Sequence, residues 1–405
     1  MSTSPASLAC LTDPAEILSQ LIAIPSVNPM GRELSGADFY EGRMTRWLAD
    51  FLQAHNLPVE VHEVVPGRCN VLTRLSNPAA TRTVLFDVHQ DTVPVDGMTI
   101  PPFTPTASNG RICGRGACDV KGGMASMLAA LLILQRQPAA GRPNLVLSLT
   151  CDEESTSLGI NHLTSGWQPD GPRYNLLPTA PDVAVIAEPT LLDIVTAHRG
   201  AVRWKIRTAG RACHSSRPSD GINAIYRMAR VLLAMEEYAA LLPLSRPPHP
   251  LCGPATLSVG LISGGSSVNV VPDSCGIDID RRLLPGEDPL AARQEIIDWL
   301  APRFDFELFH DQPWCNSPGL NDNNNQELAK ELLQHVVAVS GPHQCIGVPF
   351  GTHASRVAAA GVPAVVFGPG DIAQAHTKEE WIEVSQLYHA TDILCRLISG
   401  DAIPA

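Results

Sequence analysis

Short apolar runs bounded by turn residues recur along this chain. LVLSLT (145–150), DVAVIA (182–187) and PAVVFG (363–368) are predominantly apolar, the pattern of strands buried on both faces of a parallel sheet. Further strand-like runs occupy 59–65, 69–75 and 82–88. Helical spacing separates them: Phe39, Trp47, Leu48, Phe51 and Leu52 make an apolar stripe within 37–55, and 121–136 reads as a helix opened by Gly122 and Gly123. Alternation of this kind predicts an α/β layer structure. The middle of the chain follows another order. A strand in VTAHRGAVRWKIRTAG is followed by a long helix near 222–242, strands at 255–262 and 275–283, a helix at 288–301 and the run FDFELF. That is β-α-β-β-α-β, the order of a ferredoxin-like domain. PAVVFG lies beyond it, so the middle reads as an insertion: 1–192 is the first part of the α/β domain, 193–309 the inserted α+β domain and 310–405 the second part.

Composition narrows the function classes. Charge is 29 − 41 = −12 with no basic cluster, which argues against nucleic-acid binding and against attraction to anionic membranes. No apolar run is long enough to span a bilayer, and MSTSPASLACLTDPAEIL has neither a basic n-region nor an apolar core, so it is not a signal peptide. The eleven cysteines are scattered, without a C-x-x-C pair, which predicts reduced thiols in a cytoplasmic protein.

The chemistry sits where the strands end. His89 follows one run in LFDVHQDTVP, with Asp91 two residues on; Asp87 shares that face and receives no role. Asp119 sits in the Gly-rich GRGACDVKGG, Glu153 and Glu154 follow LVLSLT, Glu188 follows DVAVIA, and His376 follows PAVVFG in GPGDIAQAH. Open α/β sheets bind ligands beyond the carboxyl ends of their strands, and histidines with carboxylates suit zinc and related divalent ions. A carboxylate in a loop such as Asp119's could bridge two ions, and one acid of the Glu153–Glu154 pair could serve as general base. A Gly-rich turn could instead hold phosphate, but GRGACDVKGG matches neither a Walker A nor a G-x-G-x-x-G pattern.

With IAIPSVNP, HQDTVP, GRGACDVKGG, CDEES, AEP, ACHSSRP, SVNVVP, DRRLLPGED and GPGDIAQAH in this order, the chain resembles the di-zinc amidohydrolase and exopeptidase family of acetylornithine deacetylase, succinyl-diaminopimelate desuccinylase, aminoacylase and glutamate carboxypeptidase. The resemblance implies a zinc-exopeptidase-like α/β catalytic domain with an inserted ferredoxin-like lid and dimerisation domain. It implies two divalent metal ions, zinc with cobalt or manganese as alternatives: His89 and Glu188 on one, Glu154 and His376 on the other, Asp119 between them. Asp91 would orient His89, and Glu153 would be the general base on metal-bound water. His214, reaching the partner subunit's site in a homodimer, would stabilise the oxyanion. Asn269, Arg282, Gly351 and Thr352 would contact a small N-acyl amino acid; a dipeptidase or carboxypeptidase would use the same chemistry on a peptide, and a binding protein that kept the fold would have lost a ligand. Arg281 stands beside Arg282, leaving open which faces the site. The pocket loop departs from the family pattern: where many relatives carry an acid after Gly-Thr, this chain has His353-Ala354-Ser355-Arg356.

Overall fold

The apolar runs form the centre of an eight-stranded sheet. The computed structural model describes residues 5–400. In chain order the strands are Glu60–Val65 (β1), Arg68–Leu75 (β2), Thr83–His89 (β3), Asn144–Thr150 (β4), Val183–Ile186 (β5), Ile194–His198 (β6), Cys345–Val348 (β7) and Ala364–Val366 (β8). Their spatial order is β1-β2-β4-β3-β5-β8-β6-β7. The central four, β4, β3, β5 and β8, are mutually parallel; β2 pairs with β4 antiparallel, and β1 pairs with β2 antiparallel. Register aligns His89 with Thr150, Asp87 with Ile186, and Ile186 with Val366. The four parallel strands therefore stop at nearly one level, and the residues just beyond them share one edge.

Clustering of contacts divides the chain into two units. The larger takes the chain up to Thr196, Asp322–Ile346 and everything from Thr352 on; the smaller takes Ala197–Asn321 and Gly347–Gly351. In the larger unit the helix Lys121–Gln135 is buried on nearly every face, packed by the helices Pro14–Ile22 and Val384–Ser399. Its side chains are apolar all round, the composition of a helix with no solvent face. Pro14–Ile22 begins at an ordinary start signal, Asp13 accepting from the Ala15 and Glu16 amides with proline first in the helix.

The smaller unit holds an antiparallel sheet ordered Thr256–Gly264, Ser274–Leu283, Gly200–Ala209, Leu308–His310. The helices Ala224–Ser245 and Pro289–Leu300 cover it around Trp204, Ile277, Met228 and Ile296. This is the ferredoxin-like order expected from the sequence; element ends move by a few residues at most in the helices and strands, except that FDFELF is extended only over Leu308–His310. No disulfide joins any of the eleven cysteines. Among the described residues no helix is long and apolar enough to cross a membrane.

Candidate metal centre

Every residue of the candidate centre lies in the larger unit: His89, Glu153, Glu154 and Glu188 at or just past strand ends, Asp119 and His376 on loops. His89 closes β3 and is buried; its Nδ1 donates to the Asp91 carbonyl oxygen at 2.9 Å and lies 3.6 Å from Asp91 Oδ1. A proton held on Nδ1 leaves Nε2 as a lone pair facing inward. Nε2 lies 3.2 Å from Asp119 Oδ1 and 4.0 Å from Glu188 Oε1, yet it makes no hydrogen bond. The buried Glu154 Oε1 is also without a partner. Atoms that converge without bonding one another share a target, and the spacing suits a cation: ligands about 2 Å from a tetrahedral ion stand about 3.3 Å apart.

The Asp119 loop is held from beneath by Glu380. This buried carboxylate accepts from the amides of Gly116, Cys118 and Asp119 and from the Arg115 guanidinium. The Asp119–Val120 peptide is cis. Gly116 has φ +82°, and a Cβ there would come within 2.9 Å of Thr92 and Lys121 side-chain carbons; only glycine fits. Lys121 turns away from the crevice, donating to the Leu21 and Ile24 carbonyls, and burial pulls it down to about 7. The one lysine of the loop thus has no reach to a phosphate, and the loop presents Asp119.

Asp119 faces two ways. Oδ1 is the atom near His89, while Oδ2 lies 3.1 Å from His376 Nε2, which is in turn 3.3 Å from Glu154 Oε2. His89, Glu188 and Asp119 Oδ1 could hold one cation, and His376, Glu154 and Asp119 Oδ2 a second. Ligand-atom spacing independently groups His89 with Asp119 and Glu154, and His89 with Glu153 and Glu188. Glu153 therefore stands against the ligand set with its own carboxylate. The Asp91 carboxylate accepts from the Glu153 and Glu154 amides at 3.0 and 3.2 Å, so one residue fixes His89 through its main-chain carbonyl and the acidic turn through its side chain.

Crowding of carboxylates sets the protonation of the metal-free site. Burial, then neighbouring acids, push Glu153 up to about 8, Glu154 up to about 7, and Glu188 well above its usual range. Asp91 falls to about 2, because the hydrogen bond and charge of His89 outweigh its burial. Asp119 is likewise lowered, the neighbouring His376 and His89 rings winning over desolvation. Hydrogen bonds to Asp119 and Glu154 raise His376 to about 10. The linkage sign is the same for each raised group. Glu153, Glu154 and His376 bind protons more tightly folded than unfolded, so they stabilise the metal-free protein at low pH and stop doing so as pH climbs through about 7, 8 and 10. Chelated protein is expected to melt about 5 °C or more lower at pH 9 than at pH 6, with added divalent cation recovering the loss; a melting temperature flat across that range would contradict these shifts.

One pair was not legible as a site. Asp87 accepts from His353 Nδ1 at 2.9 Å, from Ser148 Oγ at 2.5 Å and from Thr150 Oγ1 at 3.2 Å, all buried. The His353 ring lies 6.4 Å from that of His89. The histidine that departs from the family pattern is thus matched by an aspartate of β3 inside the same unit. The signal in the sequence was the pairing of two exceptions, an aspartate in an apolar strand and a histidine after Gly-Thr.

Thr352, also in this unit, is buried, its hydroxyl accepting from the Ala354 amide. The other expected substrate contacts belong to the smaller unit. His214 is exposed, its Nδ1 2.8 Å from Ser216 Oγ, and it sits beside Asn269, whose carbonyl accepts from the Ser215 amide. Arg282 is partly exposed and paired with Asp280 at 2.9 Å, whereas Arg281 is fully buried against Glu287, so Arg282 is the one with a solvent-facing head. Gly351 is exposed, and a Cβ added to it would meet only ordinary van der Waals contacts.

Comparison with known proteins decides what such a centre belongs to. The family model described as peptidase family M20/M25/M40 matches residues 85–400. The chain belongs to this family. It is 30% identical over 370 residues to an acetylornithine deacetylase of Vibrio cholerae serotype O1, covering 86% of this chain and 89% of that one. Among solved structures it matches an M20 family metallo-carboxypeptidase from Sulfolobus solfataricus with a TM-score of 0.75 at 18% identity, covering 96% and 99% of the two chains. A dinuclear metal-binding peptidase of the M20 family from Bacillus subtilis matches with a TM-score of 0.65 at 15% identity, covering 95% and 96%. Membership of M20/M25/M40 makes the protein a metal-dependent hydrolase acting on amides of small amino-acid or peptide substrates.

Proposed function

We propose that this M20/M25/M40 protein hydrolyses the amide bond of a small N-acyl amino acid, in the manner of the acetylornithine deacetylases it resembles, using two zinc ions. The observation that carries this reading is the two-faced Asp119, each oxygen set against a different histidine–glutamate pair. When bound, the two cations would polarise the amide carbonyl and acidify water. The chain does the rest. Asp91 keeps the His89 proton on Nδ1, so that Nε2 stays a ligand. Glu153 takes the proton from the attacking water and passes it to the leaving amine, its amide held by Asp91 and its carboxylate set against the proposed ligands. His214 donates to the developing oxyanion across a dimer, and Arg282 takes the free α-carboxylate; Asn269, Gly351 and Thr352 border the substrate.

The dimer reading rests on an unpartnered edge. Thr256–Gly264 ends the sheet of the smaller unit with its outer side open, and it carries Leu261 and Ile262 at 68% and 56% exposure. The helix Ala224–Ser245 adds exposed Tyr226, Leu233 and Leu244. A long edge strand with outward apolar residues is a pairing template unless covered, and a second copy covers it symmetrically. Leu261→Lys with Ile262→Lys is expected to shift the protein from dimer to monomer in light scattering; a monomeric wild type, or a dimer indifferent to the double change, would remove the reading.

The test of function is amine release over a panel of N-acetyl, N-succinyl and N-formyl amino acids and dipeptides, with metal content measured on the same preparation. About two zinc ions per chain and release from one acyl class are expected. Release from dipeptides alone would move the protein to the peptidases, and neither metal nor turnover would end the reading.

A further inference from the structure

Asn28 sits in the loop between the helix Pro14–Ile22 and the helix Gly42–Ala54, distant in sequence from every proposed ligand. It is buried, and its single side-chain NH2 group is fully used: Nδ2 donates to Asp91 Oδ2 at 2.8 Å and to Asp152 Oδ1 at 2.9 Å. Its own Oδ1 accepts from the Met30 amide at 3.0 Å, which sets which end of the amide faces the acids. We propose that Asn28 is a positioning residue, a neutral bridge that locks the aspartate orienting His89 to the aspartate that aims Glu153 and Glu154.

Asp152 immediately precedes the two glutamates and sits at φ +66°. L-residues other than glycine hold the left-handed region only where their surroundings over-determine it, and Asx side chains do so best. Here the surroundings use both carboxylate oxygens. Oδ2 accepts from the Thr156 hydroxyl and from the Thr156 and Leu158 amides. Oδ1 accepts from Asn28 and from Arg68 Nη1 at 2.6 Å. Arg68 in turn grips the buried Glu41 through Nε and Nη2. The chain direction after Asp152 is therefore fixed from two sides, by the Arg68 guanidinium and by the Asn28 amide.

Arg68 alone cannot replace Asn28. It reaches Asp152 and Glu41 but has no hydrogen bond to Asp91. Among the described residues, Asn28 is the side chain that hydrogen-bonds both Asp91 and Asp152. The two acceptor oxygens it bridges lie about 5 Å apart, given ordinary amide geometry. Without the two N–H groups, two buried carboxylates would face each other with nothing between them, and each would turn toward other donors. Asp91 holds the His89 ring through its main-chain carbonyl, with Oδ1 3.6 Å away, and the Glu153 and Glu154 amides through its carboxylate, so a displacement of Asp91 shifts a proposed ligand and the proposed base together. Partners behind a metal ligand alter metal affinity by about 10- to 100-fold.

This inference rests on the two-zinc reading above, and its test separates the two. Asn28→Leu keeps the branched outline, though bulkier, and removes both donors; Asn28→Ser is the smaller, polar variant should the first not fold. Zinc itself is the probe, its dissociation constant measured by competition with a chromophoric chelator, alongside kcat and KM on the best substrate of the panel. Zinc affinity is expected to weaken at least about tenfold, with kcat down at least about tenfold and KM within about threefold. A lower melting temperature with zinc affinity changed less than tenfold would mark Asn28 as merely structural and overturn the proposal. Weakened zinc with kcat unchanged on zinc-saturated enzyme would overturn its role toward Glu153. If wild type cleaves no amide, the functional reading fails, while the zinc competition still decides whether Asn28 governs the site.

Discussion

Glu153→Gln is expected to leave folding and metal content unchanged and to lower kcat by about a thousandfold or more. Glutamine has the shape of glutamate but neither takes a proton from water nor delivers one to an amine, and removal of a positioned acid–base group costs about 10²–10⁴ in rate. The site makes the upper end reasonable, because among the described residues no other carboxylate of the centre is free of an assigned partner. Glu154 and Glu188 face the histidines as candidate ligands, and Asp91 is committed to His89 and two amides. The backbone at 153 is fixed by its N–H donating to the Asp91 carboxylate rather than by its own side chain, so the substitution should not move the turn. The check is elemental analysis and kcat on the same preparation. Metal at the wild-type level with kcat above a tenth of wild type would remove Glu153 from its assigned role.

Asp119→Ala is expected to abolish binding of both metal ions, not one. The two carboxylate oxygens lie near different histidines, 3.2 Å from His89 and 3.1 Å from His376, so a single truncation removes a donor from each proposed triad. Two-donor sites hold divalent ions weakly, and the loss of charge compounds the effect. Truncating a residue of one triad alone, as in His376→Ala, is expected to retain close to one ion per chain. Elemental analysis after gel filtration distinguishes them. One ion retained by the Asp119 variant would show that the sites do not share it.

How much of this was legible in the sequence varies with how local the cause is. The central strands could be read directly, because burial on both faces demands continuous apolar runs, and their ends located His89, Glu188 and the glutamate pair. The insertion could be read because its order of elements differs from that around it. What could not be read depends on contacts between residues far apart in the chain. Glu380 belongs to a C-terminal segment yet cradles the Asp119 loop through three amides; in AHTKEEWI nothing sets it apart from Glu379. Asp87 and His353 are separated by 266 positions, and each looks like an oddity until they meet. Which of Arg281 and Arg282 is buried was equally closed to inspection, since alternation along a strand says that they differ but not which way they point.

His376 differs from its fellow candidates in one respect: it is the half-exposed member of a buried set, held at φ +62° on a loop rather than at the end of a strand. That asymmetry is a kinetic one. An ion held by His376 and Glu154 would have a ligand that solvent reaches, whereas an ion held by His89 and Glu188 would have two buried ones. The two positions should therefore empty at different speeds, the outer one first, and dialysis should pass through a singly loaded protein long before the last ion is gone.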